Sequence, residues 1–113
     1  MIAALFRLAV SADPRAVADC YAAAYRAKSP TFDDLAARWS RAGPAQVFSV
    51  RQIDRVKGCD RFAVDAQLDH GESVAWFGRT TTFYSVGLDG GRMRIWDGGT
   101  ALAAPEYTTV VCG

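Results

Sequence analysis

Residues 46–69, QVFSVRQIDRVKGCDRFAVDAQLD, decide the fold of this chain. Apolar and polar side chains alternate along both halves of this stretch, and alternation with a period of two is the pattern of β-strands. Between the halves lie residues 57–60, KGCD, a short link with a glycine of the kind that joins neighbouring antiparallel strands. The stretch therefore predicts a β-hairpin.

The same pattern continues toward the C terminus, where further short links with glycine lie at residues 70–71 and 88–91. We expect four strands, over residues 46–56, 61–69, 73–86 and 92–96, the last with Asp97 as its alternative end. The alternation changes phase between Val50 and Ile53, which predicts a β-bulge near residues 51–52. A further β-prone run, residues 107–111, would add an edge strand or cover a neighbouring chain.

Upstream of the strands the period is helical. Residues 11–14, SADP, combine capping residues with a proline suited to the first helical turn. One apolar stripe follows at helical spacing, through Val17, Cys20, Tyr21, Ala24 and Tyr25. A second helix is expected over residues 32–41. The prediction is an α+β fold, with N-terminal helices packed on a curved four- to five-stranded antiparallel sheet in a single domain over residues 1–113.

The turns also predict the register, because a two-residue turn fixes which residues of its two strands face each other. Turns at residues 70–71 and 89–90 are assumed. The expected partners are Val64 with Phe77, Phe62 with Arg79, Phe83 with Trp96, and Tyr84 with Ile95. Both faces of such a sheet are rich in apolar side chains, whereas a sheet with one solvated face alternates cleanly.

Each face of the sheet is therefore predicted to be covered, one by the helices and the other by a second subunit. The helices would cover the more aromatic face and leave a pocket for a small, mainly apolar ligand, with candidate ligand-binding residues Tyr21, Tyr25, Trp39, Phe62, Phe77, Arg79 and Trp96. The other face would form a two-fold homodimer. Its candidate interface residues are Trp76, Tyr84, Met93 and Ile95. A strongly curled sheet or a folded-back tail is the alternative covering.

Arg79 is the most informative single residue in this scheme, because a charge within an aromatic face needs a partner. It would bind the carboxylate of an anionic ligand. The alternatives are an ion pair with a carboxylate of the chain itself and a side chain that extends to the sheet edge.

Composition excludes several classes of function. The net charge is +1, from 13 basic and 12 acidic residues, and no basic stripe exists, so no nucleic-acid partner is expected. No apolar run reaches the ~18 residues of a membrane span. With His70 as the one histidine, neither a metal nor a cofactor is predicted. The ratio of arginine to lysine, with abundant alanine, reflects the base composition of a genome, and we expect a bacterial one.

Cysteine usage leaves two compartments open. Cys59 and Cys112 are the pair that would form a disulfide, which would indicate a secreted protein. Three reduced thiols in a cytoplasmic protein are the preferred interpretation.

The layout resembles the nuclear transport factor 2-like superfamily, which includes ketosteroid isomerase-like and SnoaL-like proteins. The resemblance lies in residues 13–17, DPRAV, with Tyr21 and Tyr25 behind them, and in the strand series ending at residues 92–99, RMRIWDGG. It covers about residues 11–99. It implies a cone-shaped fold that holds a small apolar ligand between helices and sheet, often as a dimer. A cystatin-like helix with a meander is the alternative.

Three functions follow as expectations. The first is a small-molecule-binding domain without assured turnover. The second is a ketosteroid isomerase-like isomerase or lyase acting on a small apolar carbonyl compound. In it Tyr25 or Tyr21 would donate a hydrogen bond and Asp97 or Asp65 would act as the base. The third is a protein-interaction domain.

Overall fold

The computed structural model describes Leu5 and residues 14–28, 45–68, 78–99 and 101–112. These residues form two short α-helices and a four-stranded antiparallel sheet with strand order 1-2-3-4, so the chain is α+β. The elements are α1 Pro14–Asp19, α2 Ala23–Ala27, β1 Ala45–Val56, β2 Cys59–Leu68, β3 Gly78–Asp89, β4 Arg92–Gly99 and a short 3₁₀ helix Pro105–Tyr107. The helix expected over residues 32–41 lies outside the described residues.

Two-residue turns close the outer hairpins. Lys57 and Gly58 join β1 to β2 with φ angles of 52° and 80°, and Gly90 and Gly91 join β3 to β4 with φ angles of 61° and 79°. Positive φ at both central residues matches the right-handed twist of the flanking strands, and glycine reaches it without steric cost. The first turn is therefore shorter than the predicted link of residues 57–60, and the second lies one residue beyond the predicted one.

The pairing of β1 with β2 agrees with the sequence pattern. Val56 faces Cys59, and the register shifts between Gln52 and Asp54, which confirms the predicted bulge to within one residue. A second shift, between Val47 and Ser49, was not predicted. Each bulge reverses the side-chain parity of β1, so this strand changes faces twice along its length.

The predicted register of the other strands is wrong. Phe62 pairs with Tyr84 and Val64 with Thr82, five residues away from the expected partners. The observed pairing excludes the predicted turn, because Leu68 pairs with Gly78, whereas a two-residue turn at residues 70–71 would pair Leu68 with Ser73. Residues 69–77 themselves lie outside the described residues. An odd displacement exchanges the two faces of a strand relative to its neighbour.

The β3–β4 register is also wrong, for two reasons. The turn lies one residue later, so Val86 pairs with Ile95, and the register shifts between Ser85 and Val86 so that Ser85 pairs with Asp97. Trp96 is the additional residue of this bulge.

The corrected register defines two faces. We call the first the core face, because its side chains share one buried cluster with Val17, Cys20 and Tyr21. It carries Phe62, Val64, Tyr84, Val86 and Ile95. We call the second the tail face, and it carries Cys59, Arg61, Ser85, Gly87 and Asp97. The division of apolar side chains between the faces therefore differs from the predicted one.

This division overturns the predicted composition of the dimer interface. Ile95 is fully buried and is not available to a second subunit, and Tyr84 is partly buried on the core face, where it packs against the core cluster. Met93 is 38% exposed and Trp76 lies outside the described residues. The homodimer itself stays a prediction, without the face proposed for it.

The helical stripe predicted from Val17 to Tyr25 is broken between α1 and α2. The amide of Ala22 donates to the Ile95 carbonyl at 2.8 Å, and the amide of Ile95 donates to the Cys20 carbonyl at 2.7 Å. These bonds form a parallel bridge between Tyr21 and β4. The backbone groups along the edge of β4 thus take partners that a continuous helix could not supply, and tertiary pairing overrides local helix propensity.

The C-terminal segment, residues 101–112, forms no strand over residues 107–111, in contrast to one of the two expectations for it. It lies against the tail face, where the disulfide Cys59–Cys112 holds its end. The predicted cysteine pair is confirmed, and the preferred interpretation of three reduced thiols is wrong. Cys20 is the free cysteine and is buried.

The C-terminal segment approaches the sheet most closely at Gly87, where the absence of a side chain leaves room for Cys112. A Cβ atom at Gly87 would lie 2.6 Å from the Cys112 Cβ, closer than Cβ atoms of folded proteins approach another carbon, and a tight 3.0 Å from its sulfur. We expect Gly87→Ala to lower the free energy of unfolding by about 1–3 kcal/mol, because a strand and a disulfide-bonded segment would both have to move. Gly99→Ala is the matched control, since a Cβ there meets nothing within 4 Å. Equal urea midpoints for the two variants would contradict the close approach.

Candidate functional site

A cavity of about 250 Å³ lies between the tail face and the C-terminal segment. Its floor is formed by β3 and β4 and its roof by the segment. The lining includes Arg61, Phe83, Ser85, Asp97, Gly99, Leu102, Tyr107 and Thr108. Both polar and apolar side chains therefore line it.

The floor is shaped by cross-strand pairs of β3 and β4. Ser85 faces Asp97, and Phe83 faces Gly99. Gly99 leaves open space beside the Phe83 position, since a Cβ on it would meet nothing within 4 Å. Gly98 has the opposite environment, because its Cβ would lie 3.0 Å from the Tyr84 ring. The first glycine therefore contributes free volume, whereas the second accommodates the packed Tyr84 ring.

Hydrogen bonds hold the roof in addition to the disulfide. The amide of Cys112 donates to the Lys57 carbonyl at 3.1 Å, and the Lys57 ammonium donates to the Thr108 carbonyl at 2.5 Å. The Arg61 guanidinium donates to the Ala103 carbonyl at 2.6 Å. All of these anchors belong to the β1–β2 hairpin, so the hairpin positions the roof over β3 and β4.

Arg61 is the central polar group of this arrangement. Its side chain is only 5% exposed, and its Nε and Nη2 each donate to a carboxylate oxygen of Asp54 at 2.6 Å. Nη1 donates to Ala103 and, at 3.4 Å, to the Thr108 hydroxyl. This fork geometry satisfies a buried guanidinium with a paired charge and two further acceptors.

The ion pair fixes the charge state of its members. The hydrogen bond from Arg61 holds the pKa of Asp54 below its usual range, against the smaller opposing effect of burial. Asp54 is therefore ionised at neutral pH, and its charge neutralises that of Arg61. The buried arginine consequently contributes little net positive charge to the cavity.

Asp97, a predicted catalytic candidate, does line the cavity. Its carboxylate is exposed, and within residues 14–28, 45–68, 78–99 and 101–112 no basic group lies within ion-pair distance of it. Asp65 lies on the same face but pairs with Thr81, farther along β3. The two carboxylates therefore do not form a pair, in agreement with the expectation that one strand separates them.

The tyrosines expected to serve as donors form a separate cluster. The rings of Tyr21 and Tyr25 lie 5.0 Å apart, and Tyr84 packs against the same core. Burial raises the pKa of Tyr21 well above its ordinary value and that of Tyr84 to about 12. The pKa of Tyr25 is raised by burial and by the charge of Asp97. All three phenols stay protonated at neutral pH, and of the three only Tyr84 contributes to the cavity wall.

The predicted ligand-binding residues whose side chains the structure describes do not line the cavity. Tyr21 and Phe62 are buried in the core, and Trp96 lies against Gly87, whose Cβ would be 3.4 Å from the indole nitrogen. That nitrogen is buried without a hydrogen-bond partner among the described residues. Trp39 and Phe77 lie outside the described residues. Arg79 pairs with Gln67 instead of Phe62, and its side chain lies outside the described part of the chain.

Sequence reasoning missed Arg61 and the roof. Two signals were present. The two-residue turn at Lys57-Gly58 places Asp54 opposite Arg61 once the bulge is counted. The candidate disulfide also implied that the C-terminal segment crosses the hairpin.

Other sites receive no support from the described residues. They contain no group of three or more side chains that could hold a metal ion. Burial raises the pKa of Cys20 to about 11, so this thiol stays protonated and is a poor nucleophile. No helix among the described residues is long and apolar enough to cross a membrane.

Comparison of the chain with protein-family models, with curated proteins and with solved structures finds no match.

Proposed function

We propose that this chain is a binding domain for a small, mainly apolar molecule, which occupies the cavity between the tail face and the C-terminal segment. The observation that carries the proposal is the cavity of about 250 Å³, with a roof anchored by a disulfide and a buried arginine. A roof held at several points costs little conformational entropy when a ligand arrives, which favours binding.

The size of the cavity limits the ligand. Pockets for drug-sized molecules measure about 300–1,000 Å³, so a ligand here is at or below the lower end of that range. Phe83 and Leu102 supply apolar wall, and the hydroxyl groups of Ser85 and Thr108 supply hydrogen-bonding capacity. These groups suit a compact molecule with one aromatic or aliphatic part.

The superfamily resemblance stays a proposal as well. Two short helices before an antiparallel four-stranded meander support a nuclear transport factor 2-like layout, with its cone and its packing of helices on a curved sheet. The cavity described above lies on the tail face, whereas the resemblance implies a ligand between helices and sheet. The proposed binding site is therefore specific to this chain's C-terminal segment.

The disulfide supports localisation in an oxidising compartment, whereas the sequence suggested the cytoplasm. Disulfides persist outside the cytosol, where glutathione and thioredoxin do not reduce them. The Cys59 side of the bond is fully buried, which suits a permanent structural role.

The isomerase alternative has less support. Asp97 lines the cavity and neither Tyr21 nor Tyr25 does, although the charge of Asp97 is close enough to raise the pKa of Tyr25. A base and a donor acting on one substrate must both reach it from the same space. The interaction-domain alternative would use the exposed side chains of Leu88 and Met93, which face each other near the second turn.

Filling the cavity tests the binding function. We expect members of a library of small aromatic and aliphatic compounds to shift the amide resonances of residues 97–103 in ¹⁵N-labelled protein. Gly99→Leu should abolish these shifts, because its side chain would enter free volume. Ala27→Leu adds similar bulk on exposed α2 and is the control, which should bind like the natural chain. Shifts that survive in Gly99→Leu, or a library without a single binder, would refute the proposal.

A further inference from the structure

Two charged side chains line the cavity, Arg61 and Asp97, and they differ in their capacity to bind a charged ligand. The Arg61 guanidinium is committed to Asp54 through two bonds of 2.6 Å and to two acceptors of the roof. It has little capacity left to bind an anionic ligand. An anion entering the cavity would also meet the Asp97 carboxylate, and like charges at close range repel.

Asp97, in contrast to Arg61, has its carboxylate available to a ligand. It lines the cavity, and no basic side chain among the described residues lies within ion-pair distance of it. Gly98 and Gly99 follow it directly, so no side chain at these two positions shields the carboxylate from a ligand in the cavity. A carboxylate in this position can accept hydrogen bonds from an ammonium group, and such charge-assisted bonds are stronger than neutral ones.

The aromatic residues of the lining also favour a cationic ligand over an anionic one. Tyr107, which is 76% exposed, and Phe83 both contribute to the cavity wall. Aromatic faces attract cations through the negative charge of the π-system, and apolar contacts with the rings suit an organic substituent.

We infer that the ligand is a small organic ammonium compound, with its cationic nitrogen at Asp97 and its apolar part between Phe83 and the roof. This inference rests on the proposed binding function and gives the chemical class of the ligand. It replaces the anionic ligand that the sequence suggested through Arg79.

Three probes of nearly equal shape and different charge test it: benzylammonium, benzyl alcohol and benzoate, titrated into ¹⁵N-labelled protein. We expect benzylammonium to bind about fivefold more tightly than benzyl alcohol, as for a partly solvated ion pair, with benzoate weakest. Asp97→Asn should remove this preference. Glu106→Gln is the matched control, because Glu106 is exposed on the roof and does not line the cavity.

The outcomes separate the two proposals. Equal affinities for the three probes, tightest binding of benzoate, or no shift from any of them would overturn the ammonium inference. So would a preference for benzylammonium that persists in Asp97→Asn or disappears equally in Glu106→Gln. If any of these results occurs while Gly99→Leu still abolishes binding of library compounds, the binding function stands and only the ligand class is wrong.

Discussion

Replacement of both Cys59 and Cys112 by alanine is expected to lower the free energy of unfolding by about 4 kcal/mol. The bond joins residues 53 positions apart, and a cross-link over a loop of that length strongly restricts the unfolded chain. In the folded chain it also fixes the end of the roof to β2. Urea unfolding under non-reducing conditions measures the change.

A reductant supplies the control for this experiment. It should destabilise the natural chain by a similar amount and leave the double alanine variant unaffected. Cys20 has no part in the bond and is present in both proteins, so its thiol cannot account for a difference. A double variant within about 1 kcal/mol of the natural chain would show that the cross-link does not stabilise the fold.

Asp54→Ala is expected to cost about 3 kcal/mol, because it leaves the Arg61 guanidinium, 5% exposed, without its paired charge. This loss is at the lower end of the values for removing one member of a buried ion pair, since the Asp54 side chain is 32% exposed. The matched control is the next cross-strand pair of the same hairpin toward the turn, Arg55 with Asp60. Arg55 and Asp60 also face each other, but the Arg55 side chain is 70% exposed and the closest atoms are 3.8 Å apart.

For Asp60→Ala we expect a loss of about 0–1 kcal/mol, the usual value of an exposed ion pair. A double variant, Asp54→Leu with Arg61→Met, should recover much of the stability lost in Asp54→Ala, because it removes both charges together. Similar losses for Asp54→Ala and Asp60→Ala would contradict the special role of the buried pair.

The pH dependence of stability reports the same pair. The pKa of Asp54 is lower in the folded chain than in the unfolded one, so the pair's contribution is complete above the unfolded value of about 3.9. It decreases as the pH falls through the lower, folded value. Asp54→Asn should therefore flatten the acid limb of the stability curve, as measured by urea unfolding at several pH values.

Several features of the fold could be read from the sequence because they depend on neighbours along the chain. The hairpin between β1 and β2 follows from alternation and a glycine link, and the bulge after Gln52 follows from a change of phase. The candidate disulfide pair was also correct. The four strands among the described residues are within the predicted range of four to five.

The candidate site was largely inaccessible to the same reasoning. Of the residues proposed to act on a ligand, Asp97 lines the cavity, whereas Tyr21 and Phe62 belong to the core. The register of β2 with β3 differs from the predicted one by five residues, which exchanges the faces, and nothing local in the sequence fixed this register. Arg61 went unnoticed because its importance comes from burial beneath a distant segment.

The sequence by itself determined the first hairpin, its bulge and the position of the β3–β4 turn to within one residue, since alternation and turn residues act over a few positions. Only the tertiary structure decided which face each strand buries, where the helical stripe breaks at Cys20–Ala22, and what the C-terminal segment covers. These outcomes depend on hydrogen bonds and cross-links between residues distant in sequence. Such long-range contacts select one arrangement among several that satisfy the local pattern equally well.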